Sequence, residues 1–364
     1  MQAALLFVVA NLASTSAPEL PSVKQAGWRE PIALPAEVLP QTASSLLLDV
    51  TSAPDKFVAV GERGHVLLSD RSGKEWSQVS DVPTRASLTA VTSVRDQLWA
   101  VGHGEVVIHS GDAGLHWELQ HRAESSEPET PLKTDRPLLD VLFIDAENGF
   151  AVGAYSLLLI THDGGKSWQE RNILSTPTNN ENSATKENAT HENWMFSKQD
   201  LKLAQESDPH FNGIARTDNG SLFIAAERGA ALRSRDGGET WQRLELPYEG
   251  SMFGVLGFEN DHVLVFGLRG HVYESFDLGD HWKEIATHTE LSIMGGTRLH
   301  DTGAILVGAN GLILIRPDKD SELHSFVRPS AGTIAAAAVF GPDQTVIVGE
   351  NGVSIFVPSS LAAE

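Results

Sequence analysis

Three arginines stand at the same place in a repeating unit of a chain that is otherwise acidic. Arg63, Arg228 and Arg269 are each the second residue after the small residue that ends an apolar strand: VAVG before Glu62-Arg63, IAA before Glu227-Arg228 and VFG before Leu268-Arg269. Tyr155 holds the same place after FAVG, and Gly104, Asn310 and Asn351 hold it in the other copies. A guanidinium offers planar paired donors that match a carboxylate. Arginines on one rim would form a positive cup for a carboxylate or an acidic peptide segment. The bland alternative pairs each arginine with a neighbouring acid, such as Glu62 or Glu227. Two nearby stretches add aromatic and hydrogen-bonding groups: His210 and Asn212, then Tyr248, Ser251 and Phe253.

Catalytic patterns are missing. No P-loop, dinucleotide fingerprint, HExxH or nucleophile elbow occurs in the strand–helix context each needs. The 14 histidines are scattered, so no metal site and no cofactor is expected. With no cysteine, thiolate chemistry, Cys-ligated zinc and disulfides are excluded.

The elements that must position these residues are announced by a second motif. Thr161-His162-Asp163-Gly164-Gly165-Lys166-Ser167-Trp168 returns as Ser234-Arg235-Asp236-Gly237-Gly238-Glu239-Thr240-Trp241. Looser copies span 110–117, with Asp112 and Trp117, and 275–282, with Asp277 and Trp282, both with His before Trp. A decayed copy at 69–76 has Arg71 where Asp should stand. The pattern resembles the Asp-box, or BNR repeat. Its Asp and hydroxyl can accept turn N–H groups that no strand partner reaches. Glycine supplies positive φ, and Trp packs on the next unit. Asp112, Asp163, Asp236 and Asp277 are therefore expected to be structural.

The strand-ending glycine recurs about every 41 residues in seven copies, with two longer intervals. Each unit reads as four short strands, in the first at about 46–51, 57–61, 65–69 and 76–79. This predicts an all-β, seven-bladed β-propeller of four-stranded antiparallel blades over residues 18–364. The last unit supplies only three strands. The missing one is expected from the N-terminus, where Gly27-Trp28-Arg29-Glu30 resembles Ser167-Trp168-Gln169-Glu170. The unit at 316–323 has lost Gly and Trp. One long insertion, 172–209, separates blades three and four. Its second half, with Trp194, Met195 and Phe196, suits a short helix or lid, and Asn188-Ala189-Thr190 fits a glycosylation acceptor. Strand antiparallelism puts the Asp-boxes on one face and the arginine-bearing turns, with the links between blades, on the other.

Boxes, V-G-x-x-G turns and unit count together resemble the photosystem II stability and assembly factor family, and most of all its relatives in non-photosynthetic bacteria. The resemblance covers about residues 28–357. It implies a non-catalytic scaffold that docks a segment of a membrane or envelope protein, with an arginine cluster on one face to which Arg63, Arg228 and Arg269 correspond. The rival reading is a glycoside hydrolase, because sialidases also carry Asp-boxes. They need an arginine clamp, a Tyr nucleophile with a Glu partner, and an acid/base Asp; the F-R-I-P motif is absent here.

With 27 basic and 48 acidic residues the net charge is −21. Nucleic acid and anionic lipid are unfavoured partners, and a monomer is expected. Residues 1–17 resemble a signal peptide, with an apolar run at 3–10 and small residues Ala13, Ser14, Ser16 and Ala17, although no basic residue precedes Lys24. Export to the periplasm or beyond is the expectation.

Overall fold

The computed structural model describes residues 33–123, 136–174, 209–340 and 344–357. The apolar stretch at 1–17, the expected strand at Trp28 and most of the insertion, including Asn188 and Trp194, lie outside the described residues. The described residues form seven antiparallel sheets in chain order, six of four strands and a last one of three. No α-helix occurs among them, only short 3-10 turns, and none is long and apolar enough to cross a membrane.

Position within a blade sets the pattern of each strand. Second strands such as Gln97–Gly102 and Phe57-containing Lys56–Gly61 are buried almost throughout, because neighbouring blades cover both their faces. Outer strands such as Gln169–Glu170 and Gln242–Glu245 are polar and mostly exposed. The core is not one central mass. It is divided among the interfaces between neighbouring blades. Val58, Val60, Val91 and Leu98 join blades one and two, and Phe223, Val255 and Val265 join four and five. Leu47, Phe57 and Leu67 meet Ala336, Ala338 and Val346, so blade seven packs on blade one and the ring closes. Each Val, Leu or Phe side chain so buried contributes about 1.5–3 kcal/mol.

The first strands ring the central channel: Leu47–Ala53, Leu88–Val94, Leu138–Phe143, Phe211–Arg216, Met252–Gly257, Ile293–Leu299 and Ile334–Phe340. Each carries a register shift after its first residue, for instance between Leu47 and Asp49 and between Met252 and Gly254. This repeated bulge bends the strand and turns one residue out of the ladder.

The Asp-box turns are closed by their own hydrogen bonds. In blade three Thr161 Oγ1 accepts the Gly165 N–H at 2.9 Å, Asp163 Oδ1 accepts the Ser167 N–H at 2.9 Å, and the Ser167 hydroxyl donates to Asp163 Oδ2 at 2.6 Å. These bonds, first that of the Ser167 hydroxyl, hold the Asp163 carboxyl down at about 2. Asp236 makes the same bonds to Thr240. His116 and His281 replace that hydroxyl with ring Nδ1 contacts of 2.6 and 2.7 Å to Asp112 and Asp277. Trp117 and Trp241 donate to Gly114 and Gly238 carbonyls at 2.9 and 3.0 Å, while Trp168 and Trp282 are half-buried and pack against Phe143 and Phe223.

Blade six keeps its hairpin without a box. Arg316 stands where the box hydroxyl belongs and reaches sideways to Glu274 of blade five, at 2.7 and 3.3 Å. At the three-stranded blade seven, residues 42–44 pack on Gly352–Phe356, and Gln78 of blade one bonds the backbone of Leu39 and Glu37 at 3.0 and 2.7 Å.

Candidate partner-binding face

The arginines are placed by a backbone device. The turn from second to third strand in blade one is Glu62-Arg63-Gly64-His65, closed by His65 N–H to Glu62 O at 2.9 Å. Arg63 has φ 55° and ψ 27°, and Gly64 has φ 72°. That is a type I′ turn, which favours Asn or Gly first and Gly second. Arg228 (φ 57°), Arg269 (φ 56°), Tyr155 (φ 55°) and Asn310 (φ 54°) hold the same first place, as does Gly104 (φ 71°). The second place needs glycine for a further reason: a Cβ on Gly64 would collide with the carbonyl of Thr84 in the following link, and one on Gly311 with that of Arg328.

Two blades depart. In blade two Glu105 takes the second place at φ 55°. Its carboxylate accepts the Arg136 Nε–H at 2.9 Å, and Arg136 also bonds both oxygens of Glu170 at 2.8 and 3.1 Å. Blade seven differs from the expectation for Asn351. Gly349 pairs directly with Gly352 there, the left-handed residue is Gly352, and the Asn351 amide donates to Ser330 O at 2.9 Å.

Arg63, Arg228 and Arg269 are exposed. None forms an ion pair with a described residue. Glu227 turns instead to His210, with His210 Nδ1 3.7 Å away and its N–H donating at 3.3 Å. Tyr155, 45% exposed, meets the His210 ring edge-to-face at 4.9 Å. Tyr248 stacks on His271 at 3.9 Å, and His271 Nδ1 lies 3.1 Å from Glu284. Beside this stack a cleft of about 930 Å³ is lined by Arg269, His271, Glu284, His288 and Glu290. Arg228 adjoins the same link, since Gly229 N–H donates to Gly250 O at 3.0 Å.

Blades three to five thus gather Tyr155, His210, Arg228, Tyr248 and Arg269 along one arc of the rim. Arg63 sits across the ring on blade one. Asn212 is engaged in the fold, its amide donating to Met252 O at 2.9 Å. The Ser251 carbonyl accepts the Leu268 N–H at 3.0 Å. Phe253 is the half-buried bulge residue of blade five. His271 and Glu284 escaped sequence reasoning; the histidine directly after the turn glycine was the available signal. A sialidase-type clamp would need tyrosine among converging arginines. Here Tyr155 and Tyr248 lie on histidines, and Tyr273 is buried with its hydroxyl pKa raised, first by that burial. Among the described residues no group of three or more His, Asp or Glu is arranged to hold a metal.

The family described as "Photosynthesis system II assembly factor YCF48" matches residues 119–210. A relative from Prochlorococcus marinus, named photosystem II assembly lipoprotein Ycf48, is 27% identical over 154 residues, 37% of this chain and 45% of its own. The matched part thus spans under half the length of that curated relative. A solved structure described as YCF48 bound to D1 peptide superposes with a TM-score of 0.62 at 15% identity, over 89% of this chain and 99% of that one. YCF48 from Cyanidioschyzon merolae gives 0.61 at 15%, over 89% and 98%; at these identities both show the fold. Repeat motif and architecture agree on a seven-bladed Asp-box propeller, and over residues 119–210 the chain is similar to the Ycf48 photosystem II assembly factor family.

Proposed function

We propose that this protein is a non-catalytic docking scaffold whose arginine-bearing face takes up a carboxylate-rich segment of a partner protein. The observation that carries the reading is the placement of Arg63, Arg228 and Arg269. Each holds a left-handed turn position that Asn or Gly fills with less strain, each is exposed, and each lacks an acidic partner among the described residues. Exposed guanidiniums on a body of net charge −21 set a local positive field for an acidic ligand. Tyr155 and Tyr248, held on His210 and His271, would be the rigid anchors beside them. A similar fold has been solved as YCF48 with a D1 peptide, which supports a peptide as the ligand class.

The partner is proposed to belong to a membrane or envelope complex, met on the exported side. The lipoprotein names of relatives and the apolar stretch at 3–10 support that compartment. The test is charge reversal at Arg228 and Arg269 together, followed by capture from solubilised envelope. Loss of one specific partner with an unchanged melting curve is expected. Undiminished capture by the doubly reversed protein would end the proposal.

A further inference from the structure

The third strand of blade seven, Gly352–Phe356, has no fourth strand beside it among the described residues. The other blades show what stands at each place of such a pair. In blades one, three and five the residue two places after the Asp-box Trp lies opposite one fixed place of the third strand: Gln78 opposite Leu67, Glu170 opposite Leu159 and Glu284 opposite Tyr273. Leu67 packs on Ala336 of blade seven, so this place faces the preceding blade. Ile108, Leu232 and Leu314 hold it in the remaining four-stranded blades. Thr345 opposes Phe356 as Phe57 opposes Ser69, so in blade seven the place falls to Ser354, the one small side chain in the set. Beside it, between blades six and seven, lies a cavity of about 210 Å³ lined by Arg328, Ile334, Ile347, Asn351 and Ser354. Arg328 belongs to the link from blade six to blade seven, and its Nη1 is buried with no partner among the described residues. A guanidinium N–H buried without an acceptor is costly, and a carboxylate is its natural complement.

Two other blades put a glutamate at this corner. Glu170 and Glu284 each stand two places after Trp, and each is held by a side chain of the arginine-bearing face. Arg136, on the link from blade two to blade three, donates to both Glu170 oxygens at 2.8 and 3.1 Å. His271 Nδ1 lies 3.1 Å from Glu284. Trp28-Arg29-Glu30 repeats the order of Trp168-Gln169-Glu170 and Trp282-Lys283-Glu284. The described chain also starts on the side where a fourth strand would end. Ala36 lies against Gly64 of blade one and its N–H donates to Val82 O at 3.0 Å, while residues 42–44 pack on Gly352–Phe356. The six residues from Glu30 to Ala36 can reach about 20 Å, and packed sheets stand about 10 Å apart.

We propose that the cavity between blades six and seven is the seat of Glu30, whose carboxylate pairs with Arg328, and that residues 27–30 occupy the open edge in a single register, Trp28 opposite Phe356 and Glu30 opposite Ser354. Serine in place of leucine supplies the room for the ion pair. A slip of one residue would turn Glu30 to the other face of the sheet and leave Arg328 alone, so the pair fixes register as well as closure. Trp28 then enters the layer between blades six and seven, as Trp168 enters the layer between blades two and three. The pair also takes Arg328 out of the set of arginines open to a partner, and it stands or falls independently of what that face binds.

The chain has no cysteine, so an engineered pair reports register without interference. Full-length protein carrying Glu30→Cys and Ser354→Cys, treated with oxidised glutathione, should form an intramolecular disulfide, because directly opposed residues bring their Cβ atoms within about 5 Å. Intact mass and a non-reducing gel read the outcome. Arg29→Cys with Ser354→Cys, one place out of register, should stay reduced. In the chain without cysteines, Glu30→Arg and Arg328→Glu should each lower the melting temperature by about 2 °C or more, and the two together should recover most of the loss. A 30–354 pair that stays reduced, equal closure of both cysteine pairs, a disulfide-linked dimer of two copies, or losses that simply add in the charge-swapped protein would overturn the proposal.

Discussion

An arginine at φ near +55° trades backbone comfort for a fixed side-chain position. The left-handed region costs a residue with a Cβ about 1–2 kcal/mol, and asparagine less because its short side chain bonds locally. Asn310 in blade six shows what the turn itself prefers. Arg228→Asn should therefore stabilise the protein by roughly 0.5–1 kcal/mol in chemical denaturation while weakening partner capture. If stability fell instead, the arginine would have a structural role. A second residue-scale effect comes from the channel carboxyls. Burial raises Asp49 to about 7 and Asp140 to about 6, and the Asp140 charge adds to the rise at Asp49. The unfolded groups release their protons near the ordinary 3.8, so folding takes up protons between the two values. Their contribution is fully present below about pH 4 and is lost as pH rises toward 7. Melting temperature should decline over that window, and Asp49→Asn should flatten the decline. The box aspartates act oppositely, being depressed to about 2, but only below pH 4.

At the scale of elements, the hairpins with boxes and the hairpin without one are held by different physics. A box satisfies its own turn, which is why Thr161, Asp163 and Ser167 could be read from spacing alone. Blade six cannot, and Arg316 (4% exposed) instead forms a buried pair with Glu274 (1% exposed) of blade five, beside His262 at 2.9 Å from the same carboxylate. Removing one partner of a buried pair leaves the other charge desolvated, at a cost of about 3–5 kcal/mol. Arg316→Ala should destabilise by that order, and Arg316→Met with Glu274→Leu by much less. Equal losses for the two would show that the pair contributes little beyond its volume. The sequence showed only that the sixth box had decayed, since the acid that answers Arg316 lies on another blade.

For the whole molecule, closure is the governing event. Every interface between blades is a separate apolar layer, so an opened ring exposes two of them at once. The last sheet presents Gly352–Phe356 with no fourth strand among the described residues. We expect removal of residues 18–32 to lower the melting temperature and promote association through that edge. A truncated protein that melts like the parent and stays dispersed would refute the expected closing strand. On the opposite count, the high negative charge keeps such a body dispersed and confines positive potential to the few places where arginines lack partners.

Periodicity, boxes and turn glycines determined the number of blades, the four-strand pattern and the common face of Arg63, Tyr155, Arg228 and Arg269, because each follows from backbone rules acting within about forty residues. Tertiary structure decided what those rules do not reach. Glu227 turned to His210, leaving Arg228 without an acidic partner among the described residues; Tyr248 settled on His271; Asn212 reached across to blade five; and Asn351 left the common turn geometry. Each is a contact between neighbouring blades or links, chosen by packing in three dimensions, and spacing along a chain carries no record of which side chain a neighbouring sheet will offer.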